Sequence, residues 1–476
     1  MKKNLLLIVL LFTSIFVHAQ GYKITLKSNY KTGLAYLTYY LGKDLILQDS
    51  AATANNGVAI FKNKATLLPG IYSIVFPGKR LTTDFLVDKE QILNITADTN
   101  QLEKVAVTGS VANTDFKNYQ LLVNVVGKKL QEEKLAYDKS KTKADSTTHD
   151  VAYRKYNKQL NEYRESVVKN KPTSMLAVLL SALKESPIPT KIPVTRQDSI
   201  ENYNFYKSHY WDGVTFMDDR VIRTPFFMPK LKNYYEQVLS QNPDTLIKDL
   251  DYKLLLARSN NEMYKFLLNW FTDQYISPKY MGQDAVFVHL YQKYHSQGMS
   301  KWLSKYQDSI ITRRAFMLMS NLVGEKAANL EMVDTAGKPK NLYDVNADFT
   351  VVVFWDPNCG HCKEEIPRID SFYRAFWKAK NVKIYAVLND GENLKPAWLD
   401  FIREKKLTEW ANVYQTKAMA DLEVTQQRPS FKQLYDVYVT PTIYLLDKNK
   451  QIAAKKLSIE QLNDFIDVMV KKNATK

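Results

Sequence analysis

The strongest constraint on this chain is a junction at residues 349–362. Phe349-Thr350-Val351-Val352-Val353-Phe354-Trp355 runs straight into Asp356-Pro357-Asn358-Cys359-Gly360-His361-Cys362. An unbroken run of β-branched and aromatic residues reads as a buried strand. Beyond it, Cys362, Ile366, Ile369, Tyr373 and Phe376 recur at the three- and four-residue intervals of one helix face. The two cysteines therefore sit where a strand ends and a helix begins.

That position has a chemical consequence. Backbone N–H groups at a helix N-terminus stabilise an anion. The Cys359 thiol is expected to fall from about 8.5 into the range of roughly 3.5–7.5 seen for thiols so placed. The spacing makes Cys359 the nucleophile and Cys362 the resolving thiol of a disulfide exchange. His361 lies between them, where a protonated imidazole would further favour the Cys359 thiolate. A zinc half-site is the competing reading of two cysteines three apart. Zinc needs four ligands, the chain has 2 Cys, and His149, His209, His289 and His295 show no paired spacing, so no metal is expected. No cofactor is expected either, because the sulfur pair can carry the electrons itself.

The rest of the chain changes pattern twice. A length of 476 residues calls for two or three domains. Residues 20–109 read as an all-β domain, a small sandwich or barrel. Its short apolar runs include Tyr22 to Lys27, Leu34 to Leu41, Asp44 to Gln48, Ile71 to Phe76 and Ile92 to Ile95, separated by turns such as Pro69-Gly70. Residues 110–322 read as all-α, with stripes such as Phe116, Tyr119, Leu122, Val123 and Val126. The prolines of Ser186 to Pro193 mark a loop, and helices are expected over Leu231 to Leu239, Ala285 to Tyr294 and Ser300 to Met319. From 323 to 476 strands and helices alternate, as in an α/β layer. Strands are expected at Leu330 to Val333, Val382 to Leu388 and Thr442 to Leu446, and Ser458 with Gln461 forms a capping box for the last helix.

Residues 1–19 read as an export signal: Lys2 and Lys3, an apolar stretch from Leu5 to Val17, then Val17-His18-Ala19 with small residues at the cleavage positions. The apolar stretch is shorter than the roughly 20 residues a membrane span needs. Cleavage and release to the periplasm or cell envelope are expected. The net charge of +16 is spread among acidic residues, and export removes the chain from nucleic acid, so a solvated basic surface is the reading adopted.

The segment from about 323 to 472 resembles the TlpA/ResA-type thioredoxin-like family of envelope oxidoreductases. The likeness rests on Phe354-Trp355 before the cysteines, Lys363-Glu364-Glu365-Ile366-Pro367 after them, Tyr438-Val439-Thr440-Pro441-Thr442 downstream, and the turn Val333-Asp334-Thr335-Ala336-Gly337-Lys338. The resemblance implies a thioredoxin fold and a cis-proline at Pro441. It also implies a substrate strand meeting Thr440, Pro441 and Trp355, and a carboxylate at Glu365 that exchanges a proton with Cys362. It implies disulfide-containing exported proteins as substrates and a membrane protein as reductant donor, with peripheral membrane contact left open. Two departures matter: Asn358 stands where relatives often carry Trp, and His361 where they often carry Pro. Cys-Gly-His-Cys is the active sequence of disulfide isomerases, so an isomerase is an alternative to a reductase. The front half resembles the β-domain and helical domain that often precede such modules. A second alternative is a binding or assembly protein in which those domains do the work. Peroxide reduction lacks its Thr-x-x-x-Cys pattern.

Overall fold

The structure, a computed structural model, describes residues 21–474. The expected export signal lies outside the described residues. The chain forms two compact units. One runs to Leu239 and includes Leu256–Met263; the other comprises Ser240–Leu255 and the chain from Tyr264 onward.

The first unit opens with eight strands: β1 (Lys23–Ser28), β2 (Leu34–Leu41), β3 (Asp44–Ala52), β4 (Val58–Lys62), β5 (Gly70–Val75), β6 (Thr82–Val87), β7 (Ile92–Ala97) and β8 (Ala106–Thr108). They pair as two four-stranded sheets, β4-β1-β7-β8 and β3-β2-β5-β6. Alternate residues of both sheets, among them Ile24, Leu26, Leu37, Phe61, Ile74 and Leu93, form one shared core. The fold is thus a sandwich, of the two forms expected. Ile71 and Leu86 point to the opposite face of their sheet and pack under Phe116, Tyr119, Leu160 and Leu176 of the helices that follow. Strand periodicity explains the split, because neighbouring residues face opposite sides.

The helical region begins at Val111–Lys139 and Lys143–Asn170 and continues into the second unit. Two expected helices end differently from a plain α-helix. Phe227–Asn233 runs into a π turn at Tyr234–Val238, and Asp284–Leu290 into another at Tyr291–His295. The helix expected from Ser300 starts at Lys305 instead, where Ser304 and Gln307 form a capping box.

The second unit holds a six-stranded mixed sheet made of β9 (Val333–Asp334), β10 (Phe349–Trp355), β11 (Val382–Leu388), β12 (Ala411–Tyr414), β13 (Thr442–Asp447) and β14 (Ile452–Lys455). Its order is β14-β13-β10-β11-β12-β9. β10 is parallel to β11 and antiparallel to β13, so it lies inside the sheet, and all of its residues are buried. Val351, Val353 and Trp355 face one core with Ile366, Ile369 and Trp398, while Val352 and Phe354 face another with Tyr385, Phe431 and Tyr444. Burial on both faces is why this strand shows no polar alternation. The strand expected at Leu330 to Val333 shrinks to Val333–Asp334. The Leu330 carbonyl accepts from Leu342 N (3.0 Å) and the Tyr385 hydroxyl (3.1 Å), outside any ladder.

Candidate functional site

Strand β10 delivers the cysteine pair to the edge of its core. The backbone turns after Trp355, with the Asp356 carboxylate accepting from Asn358 N–H at 2.7 Å and the Asp356 carbonyl from Cys359 N–H at 3.2 Å. Helix Gly360–Phe372 then starts, with Cys359 as its N-cap in extended backbone. The Cys359 carbonyl accepts the first helical bond, from Lys363 N–H at 3.1 Å. Cys362 lies in the first turn with its side chain inward, fully buried beside Ile366 and Ile369, whereas Cys359 is half-buried. Both sulfurs are free thiols.

The second wall of the site is the loop before β13. The Thr440–Pro441 peptide is cis, at the position the resemblance implied. The Thr440 carbonyl lies 3.4 Å from Cys359 Sγ. Thus the chain returns to the sulfur 81 residues further on.

The two thiols sit in opposite environments. Cys359 is held below the ordinary thiol range, first by a hydrogen bond from the Thr440 side chain and then by contacts from Cys362 and the N–H groups of Cys362 and His361. Partial burial opposes this shift, and the Thr440 carbonyl, which accepts from the neutral thiol, favours the protonated form. Cys362 is pushed up to about 11, chiefly because burial penalises its thiolate and then because Cys359 is close. One sulfur is half-exposed and readily ionised; its neighbour is hidden and protonated.

The remaining sequence candidates separate. His361 is exposed on the first turn of the helix. Glu365 is half-buried one turn beyond Cys362, and its carboxylate pairs with Arg368, which also reaches Glu460. Trp355 is fully buried against Phe401, with ring centres 5.1 Å apart. It exposes nothing to a substrate, which contradicts the contact expected of it from the resemblance; its ring belongs to the core that also holds Cys362. Pro441 does border open space: a groove of about 560 Å³ is lined by Pro441, Tyr438, Val439, Glu365, Asp436 and Arg314, among others. Sequence reasoning missed Tyr438 and Val439 as surface, although both are mostly exposed (65% and 71%) just before Thr440.

Residues 323–455 match the AhpC/TSA family. Curated relatives include the thiol-disulfide oxidoreductase ResA of Bacillus cereus, 24% identical over 147 residues (30% of this chain, 76% of the relative). ResA of Bacillus anthracis is 25% identical over 150 residues (32% of this chain, 78% of the relative). The C-terminal domain belongs to the TlpA/ResA-type thioredoxin-like oxidoreductases. Among solved structures, a domain of a possible thiol-disulfide isomerase from Cytophaga hutchinsonii is 41% identical (33% of this chain, 97% of that one, TM-score 0.28). A thioredoxin-like protein from Bacteroides caccae is 21% identical (60% of this chain, 99% of that one, TM-score 0.44). Ahead of this oxidoreductase domain, residues 130–321 match DUF5106, a domain of unknown function. The chain is a thiol–disulfide oxidoreductase of multidomain build.

Proposed function

We propose that the chain is an exported enzyme that reduces disulfides in envelope proteins through Cys359 and Cys362. The observation that carries this reading is the asymmetry of the pair: a half-exposed sulfur at a helix N-terminus, and a buried one in the next turn pushed up to about 11. The Cys359 thiolate attacks one sulfur of a substrate disulfide. The S–S bond breaks, one substrate thiolate leaves and takes a proton, and a mixed disulfide remains. Cys362 then loses its proton and attacks Cys359 Sγ, freeing the second substrate thiolate. Two electrons have passed to substrate, and the protein holds a Cys359–Cys362 disulfide. A membrane-bound dithiol donor returns those electrons. On this reading Glu365 takes the Cys362 proton, Thr440 and Pro441 align the substrate strand, and His361 tunes the nucleophile.

An isomerase is the second reading, favoured by the Cys-Gly-His-Cys sequence and the lowered Cys359 thiol. Stabilising the reduced thiolate makes a pair less reducing. Insulin-disulfide reduction by the parent chain and by Cys359→Ala tests the proposal. Equal rates would remove Cys359 from the chemistry. Faster reactivation of scrambled ribonuclease than reduction of insulin would instead favour the isomerase. The export signal is tested by the N-terminal sequence of the secreted chain, expected to begin at or near Gln20.

A further inference from the structure

The loop that carries Thr440 is held from outside the oxidoreductase domain. Asp436 opens this loop in the left-handed backbone region, at φ 49°, which side chains other than glycine seldom adopt without support. Its carboxylate is wholly enclosed, with a side-chain exposure of 0%, and it accepts from two cations. Lys456, on the turn after β14, donates at 2.6 Å. The other donor is the Arg314 guanidinium, on helix Lys305–Met319. Arg314 also donates through Nε to the Ile276 carbonyl at 3.2 Å and lies over the Tyr438 ring, 5.9 Å from its centre. Just past the end of that helix, Asn321 adds a tie, its Nδ2 donating to the Leu434 carbonyl at 3.0 Å. Beyond Tyr438, the next fixed point is Thr442, whose hydroxyl donates to the Val439 carbonyl at 2.6 Å. Thr440 lies between those anchors, with Cys359 Sγ against its carbonyl.

We propose that Arg314 is a positioning residue for the thiol chemistry: through Asp436 and Tyr438 it fixes the segment that holds Thr440 against Cys359. The inference rests on the reading of Cys359 as nucleophile. Arg314 lies upstream of residues 323–455, so the last helix of the helical region is part of the site's construction. A planar guanidinium suits this task better than an ammonium, because its donors leave in fixed directions toward two acceptors at once. Lys456 is the weaker constraint, with a side chain 46% exposed against 20% for Arg314. It also keeps Asp436 paired when Arg314 is lost, so the fold should survive the substitution. The charged groups around Asp436 are Arg314 and Lys456, with Lys455 and Asp284 behind them. Those around Cys359 are Cys362, Asp356 and His361 on its own segment; the facing loop brings the uncharged Thr440.

The test is the pH dependence of Cys359 alkylation in the full chain, for the parent, Arg314→Met and Arg314→Lys. In Arg314→Met the loop loosens and Thr440 moves from the sulfur; loss of its side-chain hydrogen bond, the largest influence holding Cys359 down, outweighs loss of the carbonyl contact, so the titration midpoint rises by at least about half a unit. That shift slows alkylation by about threefold at pH values well below the midpoint, while the rate at the alkaline plateau stays unchanged. Arg314→Lys, which keeps the charge, falls between the two. A purely structural role would lower the unfolding midpoint without moving the titration. A midpoint in folded Arg314→Met equal to the parent's overturns the proposal. Should that variant not fold, an unmoved midpoint in Arg314→Lys does the same. Insulin reduction by Cys359→Ala separates the two ideas: an active Cys359→Ala refutes the nucleophile, whereas an inactive one beside an unmoved Arg314→Met profile refutes only the positioning role.

Discussion

The opposed environments of the two sulfurs give a test with a definite size. Consider single-cysteine variants, so that each thiol titrates alone rather than as part of a coupled pair. In Cys359→Ala, Cys362 loses the contribution of its neighbour, but burial, its largest cause, remains. A thiol at about 11, against an ordinary 9.0, pays about 3 kcal/mol to ionise beyond the usual cost. Its thiolate fraction at pH 7 is then about one in ten thousand, roughly a hundredfold below that of an ordinary thiol. Cys359 in Cys362→Ala keeps the Thr440 hydrogen bond that heads its causes, so its midpoint stays below 9.0. Iodoacetamide rates measured against pH therefore separate by on the order of a hundredfold at neutral pH, with Cys359 the faster. Titration to pH 12 places the Cys362 midpoint near the top of the range. Equal rates, or a Cys362 midpoint at or below 9.0, would refute the account of burial as the cause and with it the division of labour between the sulfurs.

Three further outcomes follow from buried groups. His295 is enclosed between the Thr272 and Ser300 hydroxyls, at 2.8 Å each, and burial lowers it from 6.5 to about 4. Because the unfolded chain takes up this proton first, stability present above pH 6.5 is lost as pH falls toward 4. The loss reaches up to about 3 kcal/mol, read as a falling urea midpoint that His295→Gln flattens. Lys455 and Asp284 form an enclosed ion pair, with side chains 5% and 4% exposed. Lys455→Met strands the carboxylate and costs about 3–5 kcal/mol by urea unfolding, and adding Asp284→Leu recovers most of it. The buried Trp355 indole N–H finds no acceptor among the described residues, so Trp355→Phe should leave stability and insulin reduction nearly unchanged. Trp355→Ala should cost about 3–5 kcal/mol through the cavity it opens.

Elements that bury a face were legible in the sequence, and elements that bury nothing were not. The runs Leu34 to Leu41 and Val382 to Leu388 match β2 and β11 residue for residue, because each presents a side to a core. The capping box at Ser458 and Gln461 forms as well, Ser458 N–H donating to Gln461 at 3.1 Å and Gln461 N–H returning at 3.3 Å. Helices Arg196–His209 and Lys417–Thr425 escaped notice. Neither has a buried residue, so no apolar stripe marks them, and their surer signals are the caps Thr195 and Thr416. The same distinction runs through the site. Cys359 and Cys362 are announced by a local string whose spacing is itself the chemistry, whereas Thr440-Pro441 was legible only through the family resemblance.

Arg314 has no such string, because its partner Asp436 lies 122 residues away and the pairing depends on a helix docking against a loop. An arginine on an amphipathic helix looks the same whether it faces water or braces a loop beside a thiol. What distinguishes the two cases is the acceptor: an enclosed carboxylate in a left-handed backbone position needs its charge matched and its direction held. A fork anchored to a second element does both, and a solvated charge does neither. The chemistry of the site is thus written locally around the cysteines, while the geometry that sharpens it is supplied by contacts that only the folded unit brings together.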